Sequence, residues 1–173
     1  TEETESSEET TDKEEANADE AVAEADSDEE EAAEAEADEA EAELEAAIEV
    51  ENDLRSEIVT YALQFVGNRY KYGGTNPNTG VDCSGFTSYV MRHAAEVELP
   101  HSSGGQSRMG RQVSSSEMRP GDIICYGSGK RINHVALYIG NGQIVHASTE
   151  RTGIKVSRWN YRTPVRIVNV LGD

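Results

Sequence analysis

The sequence predicts an α+β domain, in which N-terminal helices pack on an antiparallel sheet, preceded by a disordered acidic tract. Apolar residues recur at helical spacing first, and short β-branched runs separated by turns follow them, an order typical of α+β folds. The charge is unevenly distributed, because residues 1–53 hold 26 acidic residues and one base, whereas residues 54–173 hold 8 and 14. We therefore expect a mostly disordered acidic linker over 1–53 and one folded domain over 54–173.

The acidic tract cannot build a hydrophobic core, since its only hydrophobic residues before Leu44 are alanines and Val22. Residues 31–50 alternate Ala and Glu, which favour helix, although like charges four residues apart oppose it. We expect a helix that frays toward the N-terminus and acts as a soluble spacer. A tract that folds back onto a charged surface is the alternative that the sequence leaves open.

Several classes of protein are disfavoured by composition. No apolar stretch approaches the roughly 20 residues that span a bilayer. Two cysteines do not make a disulfide scaffold, and the scattered bases form no nucleic-acid-binding cluster in the sequence. The chain has neither a starting Met nor a signal peptide, so we interpret it as a fragment of a longer protein.

Two helices should open the folded domain. The first is expected to begin at residues 54–56, with Ser56 as N-cap, and to end at Gly67. Its apolar stripe consists of Ile58, Val59, Ala62, Leu63 and Val66. A loop rich in Gly and Asn leads to a second helix over 83–97, and a short helix is expected at 105–110.

Five short strands are expected after residue 120, where the pattern becomes β-branched and turn-bounded. They are 123–126, 134–139, 143–147, 154–156 and 165–170. The dipeptide Asn141-Gly142 joins the second and third strands, which predicts a β-hairpin.

Cys83 is the candidate nucleophile. Asp82 is a natural N-cap, which places Cys83 in the first turn of a helix, where free backbone amides favour a thiolate. Gly85 permits another segment to approach the helix start closely. A buried, inert cysteine is the alternative that this position alone leaves open.

Two of the four histidines lie in the predicted hairpin, which favours the catalytic interpretation. A cysteine nucleophile needs a base, and the base needs an orienting partner. We assign His134 as the base and His146 as its partner. Two satisfied polar groups on a strand face are the alternative.

The hairpin register decides whether these histidines meet. A two-residue loop at 141–142 would pair Leu137 with His146 and send the histidines to opposite faces. A three-residue loop at 140–142 pairs Ala136 with His146 and puts both histidines on one face. The same register collects the apolar residues on the other face: Val135, Leu137, Ile139, Val145 and Ala147. It requires Gly142 in the left-handed region, as in a type I turn with a G1 bulge.

Five ordered motifs resemble the NlpC-type cell-wall cysteine peptidases, which have a papain-like fold. They are RYKYGG, DCSGF, LPHSS, RPGDIICY and HVALYIGNGQIVHAS. The resemblance extends from about residue 56 to the end of the chain. It implies cleavage of the γ-D-glutamyl bond to the diamino acid in peptidoglycan stem peptides, without a cofactor.

The resemblance also implies roles for individual residues. Cys83 would be the nucleophile, His134 the base and His146 the third member of the catalytic set. Three further residues would lie at the oxyanion or the substrate end of the cleft: Tyr70, Asp82 and Ser84.

Other conspicuous residues receive structural roles. Cys125 is expected in the core. His93 and His101 are expected at the surface, and Trp159 and Tyr161 are expected to cap the core.

The sequence thus predicts an extracytoplasmic, monomeric hydrolase of peptidoglycan peptides. The alternatives are an N-acetylmuramoyl amidase or other acyl-transfer enzyme on the same fold, and a non-catalytic wall-binding module. We expect no metal, because two cysteines and four histidines without a C-x-x-C spacing do not indicate a zinc site.

Overall fold

Three helices and eight strands make up the computed structural model, which describes the backbone of residues 16–173 and the side chains of residues 32–173. The helices are α1 (Ala16–Leu63), α2 (Cys83–Ala95) and α3 (Ser103–Gln106). The strands are β1 (Thr75–Asn76), β2 (Gly80–Val81), β3 (Arg111–Gln112), β4 (Ile123–Ser128), β5 (Arg131–Gly140), β6 (Gln143–Thr149), β7 (Gly153–Arg158) and β8 (Pro164–Asn169).

Six of the strands form one sheet in the order β3-β8-β4-β5-β6-β7. Every neighbouring pair in it is antiparallel. Strands β1 and β2 form a separate two-stranded ribbon in the loop before α2. The predicted α+β class and the five predicted strands are confirmed, whereas the three short strands were not expected.

Helix α1 begins at Ala16, far before residues 54–56, where we expected the first helix to start. Ser56 therefore lies inside a helix and is not its N-cap. Residues 32–50 are exposed throughout, so this stretch adds nothing to a core, as its composition indicates. Ala and Glu propensity explains the extension. The expected disorder of residues 1–15 lies outside the described residues.

The chain divides into two units between Ile48 and Glu49. The folded domain described below is Glu49–Asp173, and our boundary at residue 54 stays a prediction. No helix in the described part of the chain combines the length and apolar composition needed to cross a membrane.

One face of the six-stranded sheet packs on the helices of the domain. Ile58, Ala62 and Phe65 come from the end of α1 and its exit, and Phe86 and Val90 from α2. The sheet supplies Ile123, Cys125, Val135, Leu137, Val145, Ala147, Ile154 and Val168. Leu63 and Val66 of the predicted α1 stripe are 40% and 44% exposed, so the buried stripe is narrower than expected.

The β5–β6 hairpin has the predicted register and a different turn. Leu137 pairs with Val145, which sets the two histidines on one face, opposite the helix-packed face. At the tip, however, Gly140 pairs with Gln143, and the register shifts by one residue between Tyr138 and Gly140. The loop therefore has two residues, both with positive φ (Asn141 53°, Gly142 72°), as in a type I′ turn. A bulge before the turn, rather than a longer loop, corrects the parity.

Candidate active site

Cys83 is the first residue of α2, and the loop before it is shaped to present that helix end. Asp82 is the N-cap, with extended backbone, and its Oδ1 accepts from the Gly85 N–H at 2.8 Å. The Gly74 carbonyl approaches Gly85 so closely that a Cβ there would collide with it. The close approach expected at Gly85 is confirmed, and the segment that approaches it is the one directly before β1.

The Cys83 thiol is half-buried beside the start of β5. Burial raises the pKa of the thiol above its ordinary value, although backbone N–H groups of Val135 and Ser84 lower it. The thiolate that we expected from the helix N-terminus is therefore not the resting form. Desolvation outweighs the helix end here, so the proton must be removed during reaction.

His134 and His146 lie side by side. His134 Nε2 and His146 Nδ1 are 2.8 Å apart, and both rings are buried. Burial, reinforced by Arg162, lowers the pKa of His134 to about 4. Burial, together with His134 and Lys155, lowers the pKa of His146 to about 3. Both imidazoles are therefore neutral at pH 7, and His134 is able to accept a proton.

A hydroxyl continues the chain of hydrogen bonds. Ser157 on β7 lies 2.9 Å from His146 Nε2. Ser157 was not predicted from the sequence, because its position beside His146 depends on how β6 and β7 pair. Lys155 is opposite His146, which makes Ser157 its diagonal neighbour on the same face. The residues of β6 and β7 carry no local signal that would fix this pairing in advance.

Two tyrosines flank the thiol. Tyr70 is half-buried next to β2. Burial and the nearby Cys83 and Asp82 raise the pKa of its phenol, so it stays a hydrogen-bond donor. The Tyr161 ring is 5.3 Å from that of His146, and its charged form would also repel a Cys83 thiolate. Tyr161 is 44% exposed, and its ring packs edge-on at 5.2 Å against that of buried Tyr126, so it caps the core, as expected, and also flanks the site. Trp159 packs on the core as well.

Asp82 receives more partners than the N-cap role requires. Its Oδ2 accepts from the Gly73 N–H at 3.1 Å, and its Oδ1 lies 2.9 Å from His101 Nε2. Ser84, expected at the substrate end of the cleft, is buried, and its hydroxyl is 3.4 Å from Asp82 Oδ1. His101 is exposed, as expected, but its contact with Asp82 was not foreseen.

Gln106 explains how the His101 loop reaches α2. It is fully buried, and its amide donates to the Ser84 carbonyl and the Pro100 carbonyl, each at 2.9 Å. Its position could have been suspected only from the tertiary fold. In the part of the chain that the structure describes, no three His, Cys, Asp or Glu side chains are grouped so as to hold a metal ion.

The two thiols should differ in reactivity. Cys125 is fully buried, as expected, and burial raises the pKa of its thiol to about 12. Cys83 is half-buried, and its sulfur is bonded by the backbone N–H of Val135, the residue after His134. We expect iodoacetamide at pH 7 to modify Cys83 first, as peptide mapping of the native protein will show. Faster labelling of Cys125 would contradict this assignment, and unfolding in urea should make the two rates similar.

The buried histidines should make the domain sensitive to mild acid. An unfolded histidine takes up a proton below about pH 6.5, whereas these two do so only near pH 4 and pH 3. The unfolded state therefore binds more protons in this window, and the free energy of unfolding falls as the pH falls. The slope approaches about 1.4 kcal/mol per pH unit for each histidine.

Urea denaturation at pH 7, 6 and 5 measures this slope, in a range where most carboxylates stay ionised. The His134→Gln/His146→Gln variant should show a flatter dependence. An equal slope in the variant and the parent protein would contradict the assignment.

The chain is similar to known proteins. The profile of the NlpC/P60 family matches residues 67–167, more than half of the chain. The chain is 41% identical over 108 residues to the murein DD-endopeptidase MepS/murein LD-carboxypeptidase of Escherichia coli K12, covering 62% of this chain and 56% of that protein. It is 42% identical over 98 residues to the probable endopeptidase p60 of Listeria seeligeri, covering 57% of this chain and 18% of that protein. The chain thus spans little more than half, or less, of these relatives.

Solved structures agree with the fold. The NlpC/p60 domain of the peptidoglycan hydrolase SagA matches with a TM-score of 0.62 at 32% identity, over 66% of this chain and 97% of that domain. The peptidoglycan hydrolase RipB from Mycobacterium tuberculosis matches with a TM-score of 0.63 at 28% identity, over 70% of this chain and 67% of that one.

Proposed function

Because the chain belongs to the NlpC/P60 family, we propose that it is a cysteine peptidase that cleaves the peptides of peptidoglycan. The observation that carries the proposal is the 2.8 Å contact between His134 and His146, together with a thiol at the start of α2 that bonds the backbone of Val135, the residue after His134. This set provides a nucleophile, a base and an orienting group, which a wall-binding module has no need of.

The first step is attack by Cys83 on the scissile carbonyl. His134 Nε2 is engaged by His146, so the remaining ring nitrogen, Nδ1, accepts the thiol proton as the sulfur attacks. The resting pair is a thiol and a neutral imidazole. General-base transfer therefore accompanies bond formation.

The oxyanion that forms needs donors. The first-turn backbone amides of α2 are free of helical partners, and the Tyr70 phenol is a protonated donor near the sulfur. The His134 imidazolium then gives its proton to the leaving amine. Water, deprotonated by His134, releases the acyl group from Cys83.

Two bonds are candidates for cleavage. The motif resemblance favours the γ-D-glutamyl bond to the diamino acid. The name of the E. coli relative, a DD-endopeptidase, favours the D,D bond of a peptide cross-link as the second candidate. We choose the γ-D-glutamyl bond, because it is the bond that the resemblance of the five ordered motifs implies.

Mass spectrometry of defined muropeptides separates these possibilities. A monomeric disaccharide tetrapeptide should yield a disaccharide that keeps L-Ala-D-Glu, plus a free dipeptide that begins with the diamino acid. Conversion of cross-linked dimers to intact monomers would support the second candidate. Release of the whole peptide from the sugar would show an amidase. If the parent protein consumes no more muropeptide than the Cys83→Ala control does, the peptidase proposal is overturned.

We also propose that the enzyme acts outside the cytoplasm, as a monomer, with the acidic tract as a spacer. Deletion of residues 1–48 should leave turnover of small soluble stem peptides unchanged, because exposed ion pairs contribute only about 0–1 kcal/mol. Binding to intact, anionic cell walls should rise modestly, and salt should abolish the gain. A large increase in soluble-peptide turnover would show instead that the tract is an inhibitor.

A further inference from the structure

We propose that Ser157 is a positioning residue that supports the reactive tautomer of His146 and, through it, the basic nitrogen of His134. The inference rests on the proposed cysteine-peptidase function, in which His134 removes the Cys83 proton. It concerns a hydroxyl on β7, the strand that also places Lys155 opposite His146. The distances along the chain of hydrogen bonds carry it.

The protons can be followed outward from the thiol. His134 uses Nε2 to contact His146, so only Nδ1 is left to take the proton of Cys83. Nδ1 must therefore be unprotonated at rest, and the Nε2–H must donate to His146 Nδ1. This in turn places the proton of His146 on its Nε2, from which it donates to the Ser157 hydroxyl 2.9 Å away.

The opposite arrangement is unreactive. If His146 carried its proton on Nδ1, it would donate to His134 Nε2, and the His134 proton would sit on Nδ1. That nitrogen would then face the thiol with a proton already in place. The Ser157 hydroxyl makes the reactive arrangement possible, since its oxygen can accept from the Nε2–H of buried His146. In the unreactive arrangement the same hydroxyl would donate to the unprotonated Nε2. Removing the hydroxyl therefore leaves an unsatisfied donor in the reactive arrangement and only an unpaired acceptor in the other.

The same orientation serves the protonated intermediate. After His134 accepts the thiol proton, its Nε2–H still donates to His146 Nδ1, and His146 still donates to Ser157. No group has to rotate during proton transfer. Arg162 lowers the pKa of His134, and Lys155 and His134 lower the pKa of His146. Because the Ser157 hydroxyl is neutral, it adds no negative charge that would raise the pKa of His146 again, and His146 stays neutral.

The pair Ser157→Thr and Ser157→Val tests the hydroxyl at matched shape. Threonine keeps the acceptor, and valine replaces it with a methyl group. We expect Ser157→Val to lower kcat about ten- to hundred-fold with little change in KM, and Ser157→Thr to retain kcat. Equal losses in both variants, or none in Ser157→Val, would overturn the proposal.

Two readouts need no peptidase substrate. In ¹⁵N NMR, the His146 proton should lie on Nε2 in the parent protein and in Ser157→Thr, and shift toward Nδ1 in Ser157→Val. The rate of Cys83 alkylation by iodoacetamide should fall in parallel. Were the bond specificity wrong, both readouts would still decide the role of Ser157. An unchanged tautomer in a folded Ser157→Val protein contradicts it.

The Ser157→Asp variant adds a pH test. A carboxylate beside His146 stabilises the imidazolium, which would donate from Nδ1 to His134 and enforce the unreactive arrangement. In a plot of the Cys83 alkylation rate against pH, the acid limb, where the rate falls as the pH is lowered, should therefore move to higher pH. An unshifted limb would show that Ser157 has no proton-linked contact with the pair and would overturn the proposal.

Discussion

Replacing Cys83 with alanine should abolish hydrolysis and leave the domain folded. Loss of the nucleophile removes the covalent route, and in comparable catalytic sets it lowers kcat by about a million-fold. The side chain is small and half-buried, so its truncation leaves little cavity. Muropeptide turnover and thermal melting measure the two effects. Cys125→Ala is the matched control, which should keep full activity because Cys125 lies in the core.

The histidines should follow in the order of their proposed roles. His134→Ala should be nearly as severe as Cys83→Ala, because it removes the base that the proposed mechanism assigns to the thiol proton. His146→Ala should be milder, since water can occupy the space and orient His134. Turnover by Cys83→Ala above the level of a buffer control would remove this cysteine from the mechanism.

Replacing Arg55 with methionine should destabilise the domain by about 3–5 kcal/mol. Arg55 is 3% exposed and bonds Asp122 Oδ1 at 3.1 Å, Asp173 Oδ1 at 2.6 Å and the Pro120 carbonyl at 2.7 Å. Removing the guanidinium leaves the buried carboxylate of Asp122 without this partner. A loss of this size is a large part of the roughly 5–15 kcal/mol typical of a domain.

Arg119→Gln is the control for that substitution. Arg119 also contacts Asp173, at 2.8 Å, but is 38% exposed, so its loss should cost only about 0–1 kcal/mol. Urea denaturation compares the two variants. Burial already raises the pKa of Asp122, and loss of Arg55 should raise it further. The deficit of Arg55→Met should therefore shrink as the pH falls and the carboxyl is neutralised; equal losses in both variants would contradict the argument.

The hairpin shows what local sequence determines. If apolar and polar side chains are to lie on opposite faces of the hairpin, Leu137 and Val145 must share a face. This requirement predicted the strand register, and with it the contact between the two histidines. The turn was predicted wrongly, because Asn141-Gly142 suits a type I′ turn while the strand parity demands an extra residue. The protein satisfies both with a bulge. Its position depends on β4, whose preceding loop bonds Tyr138 through Gly121 and Asp122.

The residues missed by sequence reasoning are those positioned by distant segments. Ser157 depends on the β6–β7 register, and His101 depends on buried Gln106. The raised pKa of the Cys83 thiol has a similar cause. The helix start and the strand at 134–139 are both predicted from the sequence, but the packing of that strand against the thiol is not.

The bulge in the β5–β6 hairpin limits how this segment can change in length. One residue added or removed between His134 and His146, without a compensating change in the bulge or in the length of the turn, would turn one histidine to the opposite face of the sheet. Changes of two residues preserve the alternation. Across functional descendants of this domain, gaps between the two histidines should therefore come in even numbers or be accompanied by a changed bulge or turn. The β4–β5 turn lies outside that interval, and it is free of the constraint.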